Sequence, residues 1–585
     1  MARARYPAAA LILTLMVLIW LGPSLAQAAV SNGEKLGVAG IVKNPQGQGV
    51  KEVEVTVLVN GQPVKTANGE EIITDKSGSF LAEFHLPAGT LPVARVAVTA
   101  AKPSWQSLEP TILSILPAGQ DQEGRPLYQA QGQFTLNRAI TPAFWLAAGI
   151  LLLVYLLIAA ELLHRTLAAM LGAVLVLFIS YTVGTFNKEY FIISFPDAIH
   201  AIDMNVIFLL MGMMIIVGVL KKTGMFQWLA YQSYALAQGN IFVLSAILMM
   251  VTAVCSAFLD NVTTMLLMIP VTIEIAVTLK INPLTLLIPE VFASNVGGTA
   301  TLIGDPPNIL IGSYANLTFL DFVVNLTIIV AICMVLTVIY YLFWYKKGYQ
   351  QAEVKDVART ITFMSVQYRI KDKRLALLGL ALLVFTIFLF IIHGVLHMEP
   401  AIAALTGAMF LLAISRVDIV EMLEHEVEWP TLIFFIALFM VIAGAEETGL
   451  IQIIAEWVRD VSGGNLTVAV IMILWVSAIA SAVIDNIPFT ATMLPIVAFL
   501  NASIPGAETG ILWWALALGA CLGGNGTMIG ASANVVTVGL AEKAGYHISF
   551  IGYIKACFIP MLITVALANA FLLLVTFVRP LTMSR

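Results

Sequence analysis

Charge is the scarce component of this chain. Asp, Glu, Lys and Arg make up 11% of its 585 residues and 59% are hydrophobic, against roughly 25% charged in soluble domains. So few charges cannot cover a water-facing surface of this size, and the sequence is that of an α-helical polytopic membrane protein. Cysteine is sparse too. Cys255, Cys333, Cys521 and Cys557 all lie in apolar segments without paired metal-ligand spacing, which makes them small core hydrophobes rather than a disulfide or metal set. There is no His-Glu-x-x-His, no Gly-x-Ser-x-Gly and no phosphate-cradling loop, so no enzyme of those types, no ATP-driven pump and no cofactor is indicated. The net charge of -5 offers no basic patch for nucleic acid.

The N-terminus has the order of a secretory signal over residues 1–29. Arg3 and Arg5 precede an apolar run from Leu11 to Leu21, followed by Pro23 and the small-residue stretch Ala26-Gln27-Ala28. From 30 to 138 the composition changes to that of a small exported β-sandwich. Val53, Val55, Val57 and Val59 alternate with Glu52, Glu54 and Thr56, Asn60-Gly61 and Lys76-Ser77-Gly78 mark turns, and Val93 to Ala100 reads as a further strand. Gly40-Ile41-Val42, Thr74 to Phe80 and Leu86-Pro87-Ala88-Gly89 resemble the carboxypeptidase regulatory-like modules of exported proteins. Without a nucleophile and base, or a His or Cys cluster, this region reads as a spacer or interaction module.

Membrane spans follow from length, since about 20 apolar residues cross the hydrocarbon core. Ala143 to Leu163, Leu167 to Val183 and Asn205 to Leu220 open a first membrane unit over 142–345; Leu375 to Ile392, Ala401 to Ile414 and Thr431 to Gly444 open a second over 375–578. Between them, Lys346-Lys347 and the cluster Arg369, Lys371, Lys373 and Arg374 mark a cytoplasmic linker over 346–374. With the β region outside, counting puts His164-Arg165 and Lys221-Lys222 in the cytoplasm and the matched pair Glu446-Glu447 on the other side. Arg579 and Arg585, on a tail that should finish outside, pull against this count.

The two units repeat. Thr223-Gly224, Gly239-Asn240, Ser256-Ala257, Asp260 and Pro270 each return 225 positions later, as Thr448-Gly449, Gly464-Asn465, Ser481-Ala482, Asp485 and Pro495, and the offset is 226 from Gly297 against Gly523 onward. Opposite charges at the matched ends make this an inverted repeat, the sequence mark of a secondary transporter.

The repeat is polar at depth. An Asp at the centre of a spanning helix costs about 2.5 to 3.5 kcal/mol, so Asp260, Asp305 and Asp485 left in lipid would cost on the order of 9 kcal/mol. They must face a cavity, a partner or an ion. Asp260-Asn261 and Asp485-Asn486 sit at the turns of hairpins that enter the membrane and return, with Thr263, Thr264 and Thr490 adding hydroxyls. These tips are suited to a sodium ion at Asp260, Asn261, Asp485 and Asn486. The stretch Gly297 to Asn308, with Thr299, Thr301, Asp305 and the pair Pro306-Pro307, cannot continue a helix. Its milder counterpart, Gly523 to Asn534, holds Asn525 and Thr527 and has Ala531-Ser532-Ala533 in place of Asp305-Pro306-Pro307. Free carbonyls at such breaks can bind a cation and the half-helix N-termini an anion. Asn295, just before the first break, completes the candidate set.

Ser256 to Met265, Gly297 to Asn308 and Gly519 to Val535 closely resemble the P protein (pink-eyed dilution) branch of the arsenite permease family, within the ion transporter superfamily and its citrate transporter-like domain. The resemblance covers about 165 to 578. It implies two inverted repeats, each with a re-entrant hairpin and a broken helix, often in a homodimer that moves its transport domain as an elevator. Related dicarboxylate carriers have Ser-Asn-Thr at the tips, where this chain has Asp-Asn-Val and Asp-Asn-Ile. Two tip carboxylates repel a dicarboxylate unless they are protonated or neutralised by sodium, since unit charges about 4 Å apart interact by about 4 kcal/mol at an effective dielectric of 20. The expected function is therefore proton- or sodium-coupled antiport of a small inorganic ion or small anion across the cell membrane. A sodium-coupled citrate or dicarboxylate carrier, an anion channel and a membrane-anchored receptor are the alternatives.

Overall fold

The computed structural model describes residues 33–578 apart from 46, 92, 122–124 and 352–356. The signal segment 1–29, Arg579 and Arg585 lie outside the described residues. The described residues divide into two compact units, 33–143 with Asn187–Phe191 and Phe144–Phe186 with 192–578.

The first unit is a sandwich of two sheets. One has the order β5 (Ser79–Pro87), β1 (Gly33–Lys43), β9 (Pro126–Thr135), β8 (Ile115–Gln120); the other runs β3 (Gln62–Pro63), β2 (Glu54–Val59), β6 (Val96–Ala101), β7 (Leu108–Leu113), with β4 (Ile72–Ile73) also on β2. The period-two alternation of β2 buries Val55, Val57 and Val59 against Phe80, Phe84, Phe134 and Trp105. Asn60 and Gly61 both take positive φ, the geometry an Asn-Gly hairpin turn demands. At the Asp75–Gly78 turn the Asp75 carboxylate accepts from the Ser77 hydroxyl (2.7 Å) and from the amides of Ser77 (2.8 Å) and Ser79 (2.9 Å). These bonds, the Ser77 hydroxyl foremost, hold its carboxyl below the usual range.

The second unit is helical. Ten helices among the described residues are long and apolar enough to cross a bilayer, by length and composition. The principal helices are α1 (Pro142–Ala159), α2 (Arg165–Tyr181), α3 (Met204–Lys222), α4 (Met225–Ala237), α5 (Ile241–Phe258), α6 (Asn261–Thr278), α7 (Leu284–Gly298), α8 (Pro306–Ala315) and α9 (Phe319–Trp344). After the linker come α10 (Lys373–Ile392), α11 (Pro400–Ser415), α12 (Trp429–Glu447), α13 (Leu450–Val461), α14 (Leu466–Val483), α15 (Asn486–Ser503), α16 (Ile511–Gly523), α17 (Ser532–Lys543) and α18 (Phe550–Val578). Asp203 caps α3 through the amides of Asn205 (3.0 Å) and Val206 (3.3 Å).

Helix lengths and neighbours fix the depth of each element. At 1.5 Å per residue, the 26 residues of α9 reach about 39 Å, whereas the 18-residue arms α5 and α6 reach about 27 Å. The base of this hairpin lies beside the linker: Tyr349 bonds both Ser245 and the Thr285 carbonyl (2.9 Å each), and Tyr349, Met364 and Tyr368 share a buried cluster with Leu244 and Ile275. Its tip stops beside the end of α7, and α8 goes on past it, so the hairpin turns back inside the membrane unit.

The second repeat runs the other way. Trp513, at the start of α16, lies beside Tyr314 at the end of α8 (ring centroids 6.0 Å apart, planes tilted by 56°). From its own break α17 heads toward the linker face, where Leu540 and Tyr546 share a cluster with Leu284 and Leu287. Each half-helix beyond a break packs on the opposite hairpin, α8 on α15 and α17 on α6. The α3 and α12 helices are likewise antiparallel. Lys221 pairs with Glu426 at 2.9 Å and the Thr223 carbonyl accepts from the Lys371 amide of the linker, whereas Asn205 at the other end of α3 bonds Ser313 (2.9 Å) and Glu446 of α12 interacts with Tyr314 beside it.

Single cysteines placed at Lys222 and at Glu447 should therefore react with a membrane-impermeant maleimide from opposite sides of the membrane; labelling of both from one side would remove the inverted arrangement.

Candidate transport site

Each hairpin tip is pressed into the break of its own repeat, and glycine makes the approach feasible. A Cβ on Gly297 would lie 2.3 Å from the Ala253 carbonyl oxygen, and one on Gly523 2.4 Å from that of Ala478; on Gly304 and Gly530 the clashes would be with the Ser256 and Ser481 carbonyls at 2.6 and 2.7 Å. Each pair of contacts repeats across the two halves. The close approach brings Thr301 Oγ1 to the Ala257 carbonyl and Thr527 Oγ1 to the equivalent Ala482 carbonyl.

The helices break over residues 299–305, and over 524–531 with a short 3-10 turn at Gly524–Gly526. The breaks do not leave all their carbonyls free for a cation. Asn308 donates from Nδ2 to the carbonyls of Thr299 (3.1 Å) and Thr301 (2.8 Å), and Asn534 does the same for Gly524 (2.8 Å) and Thr527 (2.9 Å). Backbone that leaves a helix away from water must be bonded by something nearby, and an amide one turn into the next half-helix is in reach. The Thr299 hydroxyl is likewise committed, to the Asn295 carbonyl at 2.8 Å.

A chain of amides crosses between the repeats. Asn261 donates to Asn295 (3.0 Å), which donates to Asn525 (3.0 Å) and to Asn534 (2.9 Å). At the position matching Asn295 the second repeat has Cys521, whose thiol reaches Asn308 at 3.6 Å. The same bridge thus runs in both directions, once with a strong donor and once with a weak one.

The carboxylates are treated unequally. Asp260 and Asp485 cap α6 and α15, accepting from the amides of Thr263 (2.8 Å) and Ile487 (3.0 Å) at the positive ends of those helices. Asp485 also accepts from Ser532 (2.8 Å) and faces the Arg165 guanidinium at 3.4 Å. Arg165 in turn bonds Thr431 (3.2 Å) and Ser532 and lies 5.4 Å from the centroid of the Phe434 ring. Asp305 is fully buried, accepts a single amide bond from Asn486 (3.3 Å) on the other repeat's tip, and leaves Oδ2 without a partner. It lies within electrostatic range of both Asp260 and Asp485. Asn525 Nδ2 and the hydroxyls of Thr264 and Thr490 are also buried without partners, whereas Thr263 is half-buried at the first tip.

Two residues escaped the sequence reading. Arg165 was expected at a cytoplasmic helix end, where it served only to orient the first span, yet it reaches the second hairpin tip. Glu290 of α7 is fully buried, bonded by Thr252 at 2.9 Å, and has one oxygen unpartnered. A carboxylate alone in the apolar run from 284 to 294 was the available signal.

Residues 155–519 match the citrate transporter family. An uncharacterized transporter of Mycobacterium tuberculosis is 41% identical over 439 residues, covering 74% of this chain and 98% of its own. The 46 kDa membrane protein of Mycobacterium leprae is 40% identical over 431 residues, 73% of this chain and 97% of its own. The human P protein is 34% identical over 545 residues, covering 80% of this chain and 64% of that protein.

Gly304→Ala should lower stability by roughly 1–3 kcal/mol, because backbone oxygens on two sides must move, whereas Gly539→Ala, where a Cβ meets nothing within 4 Å, should be neutral or gain up to about 1 kcal/mol; thermal unfolding in detergent distinguishes them. In a double-mutant cycle, Arg165→Ala and Asp485→Asn should each cost about 2 kcal/mol, less than a fully buried pair because both side chains keep some exposure, and the double variant should cost less than their sum.

Proposed function

Because the chain belongs to the citrate transporter family, we propose that it is a secondary active transporter which exchanges a small ion for a coupling proton or sodium by alternating access between the hairpin tips and helix breaks. The observation that carries this reading is Asp305, fully buried with one carboxylate oxygen unpartnered and only an amide on the other. A buried carboxylate without a cation is destabilising by several kcal/mol, and a bound proton or sodium ion removes that cost. Asp260, at a half-exposed tip, is the second carrier. Asp485 has a different role in this scheme: with Arg165 and Ser532 already on it, it holds the second tip against α2 and α12 while the site is loaded. The basic residues of the linker support a cytoplasmic position for that face in this reading.

One feature favours carriage of an organic anion instead. Arg165 supplies a guanidinium at the start of α17, and such a group can take a carboxylate bidentately once Asp485 is displaced or neutralised. Citrate itself then becomes a substrate to test.

The deciding measurement is flux into proteoliposomes, with pH and sodium varied independently over a panel of inorganic ions and citrate. Asp260→Asn and Asp305→Asn should each abolish the response of flux to pH or sodium while leaving expression and folding intact. Unchanged cation dependence in both variants would sink the carboxylate-carrier role; sodium-driven citrate uptake lost in Arg165→Ala would favour the second reading.

A further inference from the structure

Glu290 lies away from the tips and breaks, inside the first hairpin bundle. It is on α7, five residues or about 7.5 Å before Asn295 along the helix axis, and its neighbours come from the two hairpin arms. Thr252 of α5 donates to Oε1 at 2.9 Å, and the hydroxyl of Thr272 on α6 faces the same carboxylate. Both Glu290 Oε2 and Thr272 Oγ1 are buried without a hydrogen-bond partner. No Lys, Arg or His among the described residues pairs with Glu290.

We propose that Glu290, Thr252 and Thr272 form a proton-binding site in the interior of the first bundle, separate from the site at the hairpin tips. A proton on Oε2 removes a charge that nothing nearby balances, and a neutral acid is far less costly to keep in this interior than an unpaired carboxylate. A sodium ion fits the donor set less well, because one carboxylate and two hydroxyls fall short of a cation shell. The backbone carbonyl that Pro289 frees, that of Thr285, is already taken by Tyr349.

The second repeat shows what happens without the carboxylate. Leu516 stands at the position matching Glu290 and Val497 at that matching Thr272, and Ser477, which matches Thr252, is left with its hydroxyl buried and unpartnered. The site therefore belongs to one repeat alone. Of the titratable groups on the helices packed against α7, the Cys255 thiol of α5 interacts with Glu290. Glu274 of α6 turns away to Gln367 and Tyr368, Tyr341 of α9 bonds the Cys557 sulfur of α18, and Asp305 beyond the break bonds Asn486. Glu542 and Lys543 lie at the far end of α17. As a coupling site Glu290 rests on the exchanger reading; as a proton site it does not.

Infrared spectroscopy of the purified full-length chain in lipid tests the assignment. At neutral pH the wild type should show the C=O stretch of a protonated carboxylic acid. Glu290→Gln should lose that component and remain folded, Asp260→Asn and Asp305→Asn should retain it, and Thr252→Val should shift its frequency by removing the hydrogen bond to the carbonyl oxygen. Identical spectra for wild type and Glu290→Gln would overturn the proposal. Proton movement in response to a sodium gradient, read with a trapped pH dye in proteoliposomes, separates the two claims. Loss of the band in Glu290→Gln without any proton movement by the wild type would leave the proton site standing and remove sodium–proton exchange from the exchanger reading.

Discussion

Backbone that leaves a helix inside a bilayer finds no water to bond, and the breaks at 299–305 and 524–531 are where this fold must meet that demand. It does so with short amides and close-packed backbone. Asn308 and Asn534 bond the carbonyls of their own breaks, and Gly297, Gly304, Gly523 and Gly530 let the first hairpin arms come within contact of the broken segments. Once those carbonyls are bonded, the half-helices α8 and α17 are free to pack on the opposite hairpins, and the two repeats lock across each other.

Polar groups left over after that accounting define the chemistry. Most of the threonine hydroxyls at the breaks bond backbone oxygens, and the asparagines bond one another or the breaks. Around the breaks and along the half-helices beside them the remainder is small: one oxygen of Asp305, one of Glu290, the Asn525 amide and a few hydroxyls. A transporter needs binding that is reversible, and groups already bonded within the protein cannot exchange their partners for an ion without cost. The reactive capacity therefore concentrates in the first repeat, which has Asp305 and Glu290 where the second has Ala531 and Leu516.

Much of the architecture was legible in the residues because it is local. The 225-residue return of Asp-Asn, the prolines after the first glycine run and the alternating valines of β2 each report a nearby backbone state, and helix ends followed from runs of apolar residues between charges. The direction of each repeat followed from Lys221 and Glu446, charges whose placement depends on the membrane rather than on contacts. Reading Arg165 as an orientation marker was where this approach fell short, because a cation at a helix end and a cation against a buried carboxylate look the same in sequence.

The sequence by itself determined the class of protein, the mirrored halves and which side chains are polar at depth, since hydrophobic length, periodicity and the cost of charge in lipid act residue by residue. Only the tertiary structure decided which of those polar groups are spent. Arg165 meets Asp485 across 320 positions and Asn486 meets Asp305 across 181. Such pairings depend on how antiparallel helices settle against one another, and a hydrogen bond has a reach of about 3 Å, far shorter than any pattern along the chain can specify.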